Sequence, residues 1–287
     1  MTLESLIRES ASRLEASGVW FGHGTDNALD EASWLVLHAL GLPPEQAPDY
    51  SQLVETESVV TARALVTERI ERRVPSAYLT GSAWFCGLAF KSDERALVPR
   101  SPLAELIETG FTPWLRDGPV ARALDLCTGS GCIAIALAHR FSGCAVDATD
   151  LSADALSLAE ENVGLHNMAE RVVLYQGDLF QPVHSRRYDL IVSNPPYVNA
   201  ADLAAMPAEY HAEPAMGLGS GDDGLDITRR ILANARDHLE PDGLLVVEVG
   251  ESMAAAQSSF GSLALNWIDL ACGGDGVFAI AASDLPR

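Results

Sequence analysis

Lysine is nearly missing from this chain: Lys91 is the one lysine among 287 residues. Forty acidic residues outnumber 19 Lys and Arg, for a formal net charge of -21. Such a surface repels nucleic-acid phosphates, whose binding rests on neutralisation by Lys and Arg, so stable nucleic-acid binding is not expected. A strongly basic protein or a cationic ligand suits it better, although acidity also serves solubility by itself. No apolar run approaches the ~18–20 residues of a membrane span. The start, Met1-Thr2-Leu3-Glu4-Ser5-Leu6-Ile7-Arg8, lacks the basic-then-apolar order of a signal peptide. A cytoplasmic protein without membrane association is therefore expected. The five cysteines (Cys86, Cys127, Cys132, Cys144 and Cys272) form no C-x-x-C pair and no Cys/His cluster. That excludes a disulfide framework and a zinc site, and no metal is expected. Cys127 and Cys132 flank a glycine loop and read as small packing residues rather than nucleophiles. Repeats and low-complexity segments are absent as well.

What remains is an ordinary globular composition, with 48% hydrophobic and 21% charged residues. The length suits about two domains at ~100–200 residues each. The first part reads as helical. Leu3, Leu6, Ile7, Ala11 and Leu14 recur at helical spacing. A second helix runs from Glu31 to Leu40, stopped by Gly41 and Pro43. A third places Val59, Ala62, Val66 and Ile70 on one face and ends before Pro75. His38 reads as a helix-face residue and not a ligand. Residues 82–99 read as a hairpin, with Trp84–Phe90 as one arm, Lys91-Ser92-Asp93 as the turn and Glu94–Pro99 as the other arm. From residue 121 onward strands and helices alternate. Strands are predicted at 121–127, 145–150, 172–178, 188–194, 244–249, 267–271 and 276–281, with helices at 133–140, 153–166 and 227–239. This alternation predicts an α/β fold with a mainly parallel sheet covered by helices on both faces. The last two strands are too close for a crossover helix, so they form an antiparallel pair.

The first of these strands ends in Asp125-Leu126-Cys127-Thr128-Gly129-Ser130-Gly131, and a helix follows. The glycines permit a tight turn and close backbone approach to a ligand, and the helix start offers free N–H groups. Asp150 closes the second strand, 19 residues past Gly131. An acid there accepts from both hydroxyls of a ribose. Gly129–Ala134 fits the dinucleotide fingerprint too, but two acids favour S-adenosylmethionine over a nicotinamide cofactor. Asp125 would repel a pyrophosphate and suits the ammonium of a methionine moiety, directly or through water. Asp178, after the third strand, suits an adenine amino group.

The fourth strand runs into Asn194-Pro195-Pro196-Tyr197. Ligand crevices in open α/β sheets lie beyond the carboxyl ends of the strands, so this tetrapeptide faces the cofactor. The chemistry that calls for these groups is methylation of a planar nitrogen, a poor nucleophile because its lone pair is delocalised. The Asn194 side-chain oxygen and the Pro195 carbonyl accept one N–H each, which orients the nitrogen and enriches it in electron density. The Tyr197 ring stacks on the planar group and covers the developing cation. No dedicated general base is evident, and the proton's route stays open between solvent and Asn194 through water.

With these motifs the chain resembles the class I S-adenosylmethionine-dependent methyltransferases, and among them the protein-(glutamine-N5) methyltransferases. The resemblance extends over Ala83–Leu88, Asp93–Arg100, Glu209–Pro214, Gly221–Leu225 and Gly273–Phe278. It implies a Rossmann-like, mainly parallel seven-stranded sheet in a methyltransferase domain at 101–287. Before it come an N-terminal helical substrate-recognition domain at 1–78 and a β-hairpin linker at 79–100. It implies that Asp125, Cys127, Thr128, Gly129, Ser130, Gly131, Asp150, Leu151, Asp178, Leu179 and Asn194 hold S-adenosyl-L-methionine. It implies that Asn194, Pro195, Pro196 and Tyr197 hold the glutamine. Leu179 stands where many relatives have Trp, which shifts adenine packing toward Phe180. Two branches compete for the substrate. Enzymes acting on release factors usually follow Pro-Arg with Pro-Glu-Thr-Glu, whereas this chain has Ser101-Pro102-Leu103-Ala104-Glu105. That, with Gly22–Asn27 and the Gly-Gly-Asp-Gly-Val-Phe ending, resembles the branch acting on ribosomal large-subunit protein L-three. Ribosomal proteins are basic, so the acidic surface would attract one. A DNA or RNA amine methyltransferase, a nicotinamide-dependent reductase and a non-catalytic ribosome-assembly factor are the competing classes. Transfer of labelled methyl groups separates them.

Overall fold

The computed structural model describes residues 1–42, 47–271 and 273–286. Pro43, expected to end a helix, and Cys272 lie outside them. Three helices begin the chain: α1 (Leu3–Ser17), α2 (Ala28–Ala39) and α3 (Thr56–Arg72). The Thr2 hydroxyl caps α1 by accepting from the Ser5 N–H, and Asn27 caps α2 by accepting from the Asp30 N–H. Their apolar stripes meet in one core of Leu3, Leu6, Leu14, Leu35, Val36, Ala62 and Val66. The stripe on α3 continues into a surprise: Arg69 is fully buried beside Val66, while Ile70 is only partly covered.

The short helix α4 (Ser76–Thr80) leads into β1 (Ser82–Phe85) and β2 (Leu88–Lys91), which pair antiparallel. The hairpin is thus shorter than its sequence pattern predicts. It turns at Cys86-Gly87, both at positive φ (48° and 70°), the geometry of a two-residue hairpin turn. Residues 94–99 do not return as a strand. They run as irregular chain past the glycine loop.

Helix α5 (Leu103–Thr109), not foreseen from the sequence, precedes the large sheet. Its strands are β3 (Arg122–Leu126), β4 (Ala145–Asp150), β5 (Val172–Gln176), β6 (Tyr188–Ser193), β7 (Leu239–Glu248), β8 (Asn266–Trp267) and β9 (Val277–Ala281). They lie in the order β5-β4-β3-β6-β7-β9-β8. All neighbours from β5 to β7 are parallel, and β9 runs antiparallel between β7 and β8. Crossovers are made by α6 (Cys132–Arg140), α7 (Ala153–Leu165) and α9 (Asp226–His238), with the short α8 (Ala200–Ala205) and α10 (Met253–Ser259) in connecting segments. Successive side chains of each strand enter opposite faces. Leu190 and Val192 of β6 join the layer with α5, α6 and α7, while Ile191 joins the layer with α9 and α10. Two covered faces explain why these strands read as continuous apolar runs. Strand β7 starts five residues earlier than predicted, and its pairing with β6 shifts register between Tyr188 and Leu190.

Candidate active site

Strands β3 to β7 end along one edge of the sheet, and a cavity of roughly 1010 Å³ opens there. Its walls include the glycine loop, the segments after β4, β5 and β6, and the end of β7. The loop leaves β3 through left-handed backbone at Cys127 (φ 60°), Gly129 (φ 55°) and Gly131 (φ 81°). Gly131 serves packing as well as the turn, since a Cβ there would lie 3.2 Å from that of Ala159 on α7. Cys127, Thr128, Gly129 and Ser130 line the cavity; Gly131 does not. Burial raises the thiol pKa of Cys127, and pushes that of Cys132 up to about 12, which suits packing residues.

Asp125 sits deeper than the other acids at the strand ends. It is fully buried beneath the loop and is not among the cavity-lining residues. One carboxyl oxygen accepts from the Thr128 hydroxyl and from the Ala134 N–H (3.1 Å), so it stitches the loop to the first turn of α6. Burial pushes its pKa up to about 7, against the hydrogen bonds from Thr128 and Ala134. It shapes the loop from below, and its other carboxyl oxygen has no hydrogen-bond partner among the described residues.

Asp150 does line the cavity. Its two oxygens accept from the Gly129 N–H (2.8 Å) and the Ser152 N–H (2.9 Å). A carboxylate offers about four acceptor positions, so Asp150 keeps acceptor capacity beyond these backbone donors. Asp178 also lines the cavity, but its Oδ2 is held by Arg230 at 2.6 Å, a partner that the sequence reading missed. Leu151, Leu179 and Ile227 supply apolar surface between the two acids. Phe180 does not: it is buried in the α9 layer, stacked on His238 at 4.5 Å. The apolar lining of the cavity there is aliphatic and does not include Phe180.

Asn194 follows β6, whose end is tied to β3 by the Ser193 hydroxyl donating to the Leu126 carbonyl (2.9 Å). Asn194, Pro195, Pro196 and Tyr197 all line the cavity. Among the described residues, neither the Asn194 side chain nor the Pro195 carbonyl has a hydrogen-bond partner. Tyr197 is clamped instead. Its carbonyl accepts from the Ser252 hydroxyl (2.7 Å), and its ring lies so close to Gly250 that a Cβ there would stand 2.6 Å from it. Glu248, a buried acid at the end of β7, lines the same cavity and accepts from the Ser101 hydroxyl. Glu248 escaped the sequence reading, although an acid closing a strand is the signal that exposed Asp150.

Two further clusters fix what surrounds the cavity. Glu213 accepts from the Val98 N–H (3.0 Å) and Arg100 (2.6 Å), with His23 Nε2 at 3.4 Å. Burial opposes its ionisation, but His23 and Arg100 outweigh that and hold its pKa at about 2. Glu209 accepts from Arg69 Nη1 (3.1 Å) and from the Trp20 N–H (2.9 Å). The segment after the tetrapeptide is thereby anchored to the N-terminal helices. Asn162 on α7 ties the glycine loop to the hairpin, donating to the carbonyls of Ser130 (3.0 Å) and Lys91 (3.2 Å). Among the described residues, no group of three or more His, Cys, Asp or Glu is placed to hold a metal. Among them too, no helix is long and apolar enough to cross a membrane.

Comparison with known proteins decides the family. A ribosomal protein uL3 glutamine methyltransferase of Xanthomonas campestris pv. campestris is 52% identical over 289 aligned residues, covering 99% of this chain and 92% of that protein. The chain belongs to the ribosomal protein uL3 glutamine methyltransferases. A member of that family from Burkholderia pseudomallei is 45% identical over 99% of this chain and 96% of its own length. The methyltransferase small domain matches residues 112–210, from the approach to β3 through the tetrapeptide. The catalytic domain of hMettl16, solved with an RNA hairpin, superposes with a TM-score of 0.53 over 84% of this chain and 88% of that one, at 16% identity. That likeness is one of fold. A member of the uL3 glutamine methyltransferases is an S-adenosylmethionine-dependent enzyme with the class I fold, and the seven-stranded sheet matches that expectation.

Proposed function

We propose that this chain transfers a methyl group from S-adenosylmethionine to the side-chain amide nitrogen of a glutamine in ribosomal protein uL3, in the cytoplasm where that protein is made. The observation that carries the reading is the pair of unengaged acceptors, Asn194 and the Pro195 carbonyl, side by side on the wall of the cavity that the glycine loop also lines. They match the two N–H bonds of a primary amide. Accepting both fixes the nitrogen's orientation and opposes the delocalisation that makes it a poor nucleophile. Tyr197 supplies an aromatic wall for the planar amide.

The residues present fit the methyl donor. Asp150 keeps free acceptor positions for ribose hydroxyls, Leu151, Leu179 and Ile227 suit an adenine ring, and Asp178 stands at the same wall. The backbone of Thr128–Ser130 offers close approach. When bound, S-adenosylmethionine supplies an electrophilic methyl group on a sulfonium. Asp150→Ala is expected to weaken its binding by ~10–100-fold, the size of losing hydrogen bonds to a charged group. Calorimetric titration checks this, and unchanged affinity removes Asp150 from the ribose role.

The N-terminal helices, with the segment that Glu209 and Glu213 anchor, would grip the protein substrate. The net charge of -21 would speed its approach, so association with a free basic substrate should slow as salt rises. The test is methyl transfer from labelled donor to purified, unmethylated uL3 and, separately, to unmethylated release factor. Label on uL3 alone supports the reading. Label on the release factor alone overturns the substrate and keeps the chemistry. Label on neither, with donor bound, overturns both free-protein substrates.

A further inference from the structure

A second cavity lies outside the site described above. It holds roughly 340 Å³ and opens between α2 and the β1–β2 hairpin. Trp34 of α2 and Trp84 of β1 line it, with Gly24, Asp30, His38 and Pro99. Both tryptophans are half-buried. Trp34 packs against Ala77, Ala83 and Val98. Gly24, in the left-handed region at φ 103°, lets the loop before α2 close on it, since a Cβ there would stand 3.3 Å from the six-membered ring. Trp84 lies on the face of β1 opposite the buried Ala83 and Phe85.

The charge of this lining has one sign. Asp30 is exposed, and its Oδ2 accepts from the Asn27 side chain (2.8 Å). Among the described residues, no Lys or Arg lines the cavity, and Asp30 has no ion-pair partner. The cavity also adjoins the large one. Pro99 lines both, and Gly22 lines the large cavity where Gly24, two residues on, lines the small one.

We propose that this cavity is a second substrate site: it takes a lysine or arginine side chain of ribosomal protein uL3 while the glutamine occupies the large cavity. The proposal rests on the glutamine-methylation reading above and names where the basic partner is held. Aromatic rings beside a carboxylate, with no competing cation, are the groups that recognise an organic cation. An apolar side chain would leave the carboxylate without a use, and an acidic one would be repelled. Ligand pockets run from ~300 to 1,000 Å³, so this one admits a single long side chain rather than a helix. The net charge of -21 draws a basic protein in from any direction. A pocket beside the active site instead fixes which part of it arrives there.

The test uses the full chain, labelled S-adenosylmethionine and unmethylated uL3. Asp30→Asn keeps the shape and removes the charge; the KM for uL3 is expected to rise about 5-fold, as for a lost exposed ion pair. Trp84→Leu should raise it about 10-fold, and Trp84→Phe should recover part of that loss. In all three, kcat at saturating uL3 and donor affinity should stay at wild-type values, which also shows that the variants fold. Glu57→Gln is the control: it removes an exposed acid from the first turn of α3, outside the cavity, and should leave KM unchanged. Among alanine variants of the lysines and arginines of uL3, one should raise KM as Asp30→Asn does. Combined with Asp30→Asn, it should cost no more than either change alone. Wild-type KM in both Asp30→Asn and Trp84→Leu overturns the proposal. A rise in Trp84→Leu alone means an apolar occupant and overturns the basic one. Equal rises in Asp30→Asn and Glu57→Gln mean that net charge alone acts, and overturn the site. Loss of kcat or donor affinity with KM unchanged overturns a substrate site as well. If wild-type enzyme binds donor but labels no uL3, the glutamine reading has failed and the proposal falls with it.

Discussion

Asn194→Ala is expected to lower turnover by about 100-fold or more while leaving S-adenosylmethionine affinity nearly intact. The size follows from removing an acceptor that the reacting nitrogen needs most as it gives up its lone pair. The clean separation of turnover from folding follows from the structure. No hydrogen bond among the described residues depends on the Asn194 side chain, so its removal orphans nothing inside the protein. Its backbone is already confined to extended conformations by the proline that follows, which alanine adopts as readily. Comparing single-turnover rates and donor affinity of the two proteins checks this. A variant with near-normal turnover would remove Asn194 from the mechanism.

The second large effect is on stability. Arg69→Ala should destabilise the protein by about 3–5 kcal/mol, the usual cost of removing one member of a buried ion cluster. Arg69 is fully buried and donates to Glu31 (2.6 Å), to Glu209 (3.1 Å) and to the Trp20 carbonyl (2.7 Å). Without it, two buried carboxylates face each other. Glu31 would keep the Ser76 hydroxyl (2.8 Å) and Thr25 hydroxyl (3.0 Å), and Glu209 the Trp20 N–H, but neither would keep a buried counter-ion. The urea midpoint should fall at unchanged m. A drop below about 1 kcal/mol would show that Arg73, 3.4 Å from Glu209 at the rim, substitutes for it. Adding Glu209→Gln to Arg69→Ala should recover part of the loss, since the remaining burial is then of a neutral group. The same cluster joins α3 to the segment behind the tetrapeptide, so damage there reaches the site without touching it.

Much of this architecture was legible in the chain because its signals are local. The strands of the sheet are short apolar runs, and their alternation with amphipathic helices specifies a parallel sheet whatever else the chain does. The glycine loop and Asn194–Tyr197 are contiguous, and the carboxyl-end rule for open sheets brings them to one crevice. The hairpin was misread where two local signals competed. Lys91-Ser92-Asp93 looks like a turn, but Cys86-Gly87 provides the paired left-handed conformations that the strand twist favours. Helix α5 went unforeseen although Leu103, Leu106 and Ile107 carry its pattern, because seven residues barely make two turns.

Roles of polar residues divide along the same line. By itself the sequence determined the sheet, the loop, the acids at the strand ends and the planar-nitrogen motif, since each is written in neighbouring residues with a fixed period or spacing. Only the tertiary structure decided that Asp125 lies beneath the loop and that Phe180 turns away from the cavity. It alone made Arg69 a buried cation and joined Glu248 to Ser101 across 147 residues. The physical reason is that burial and hydrogen-bond partnership depend on which distant segments fold against a residue, and no local periodicity encodes that.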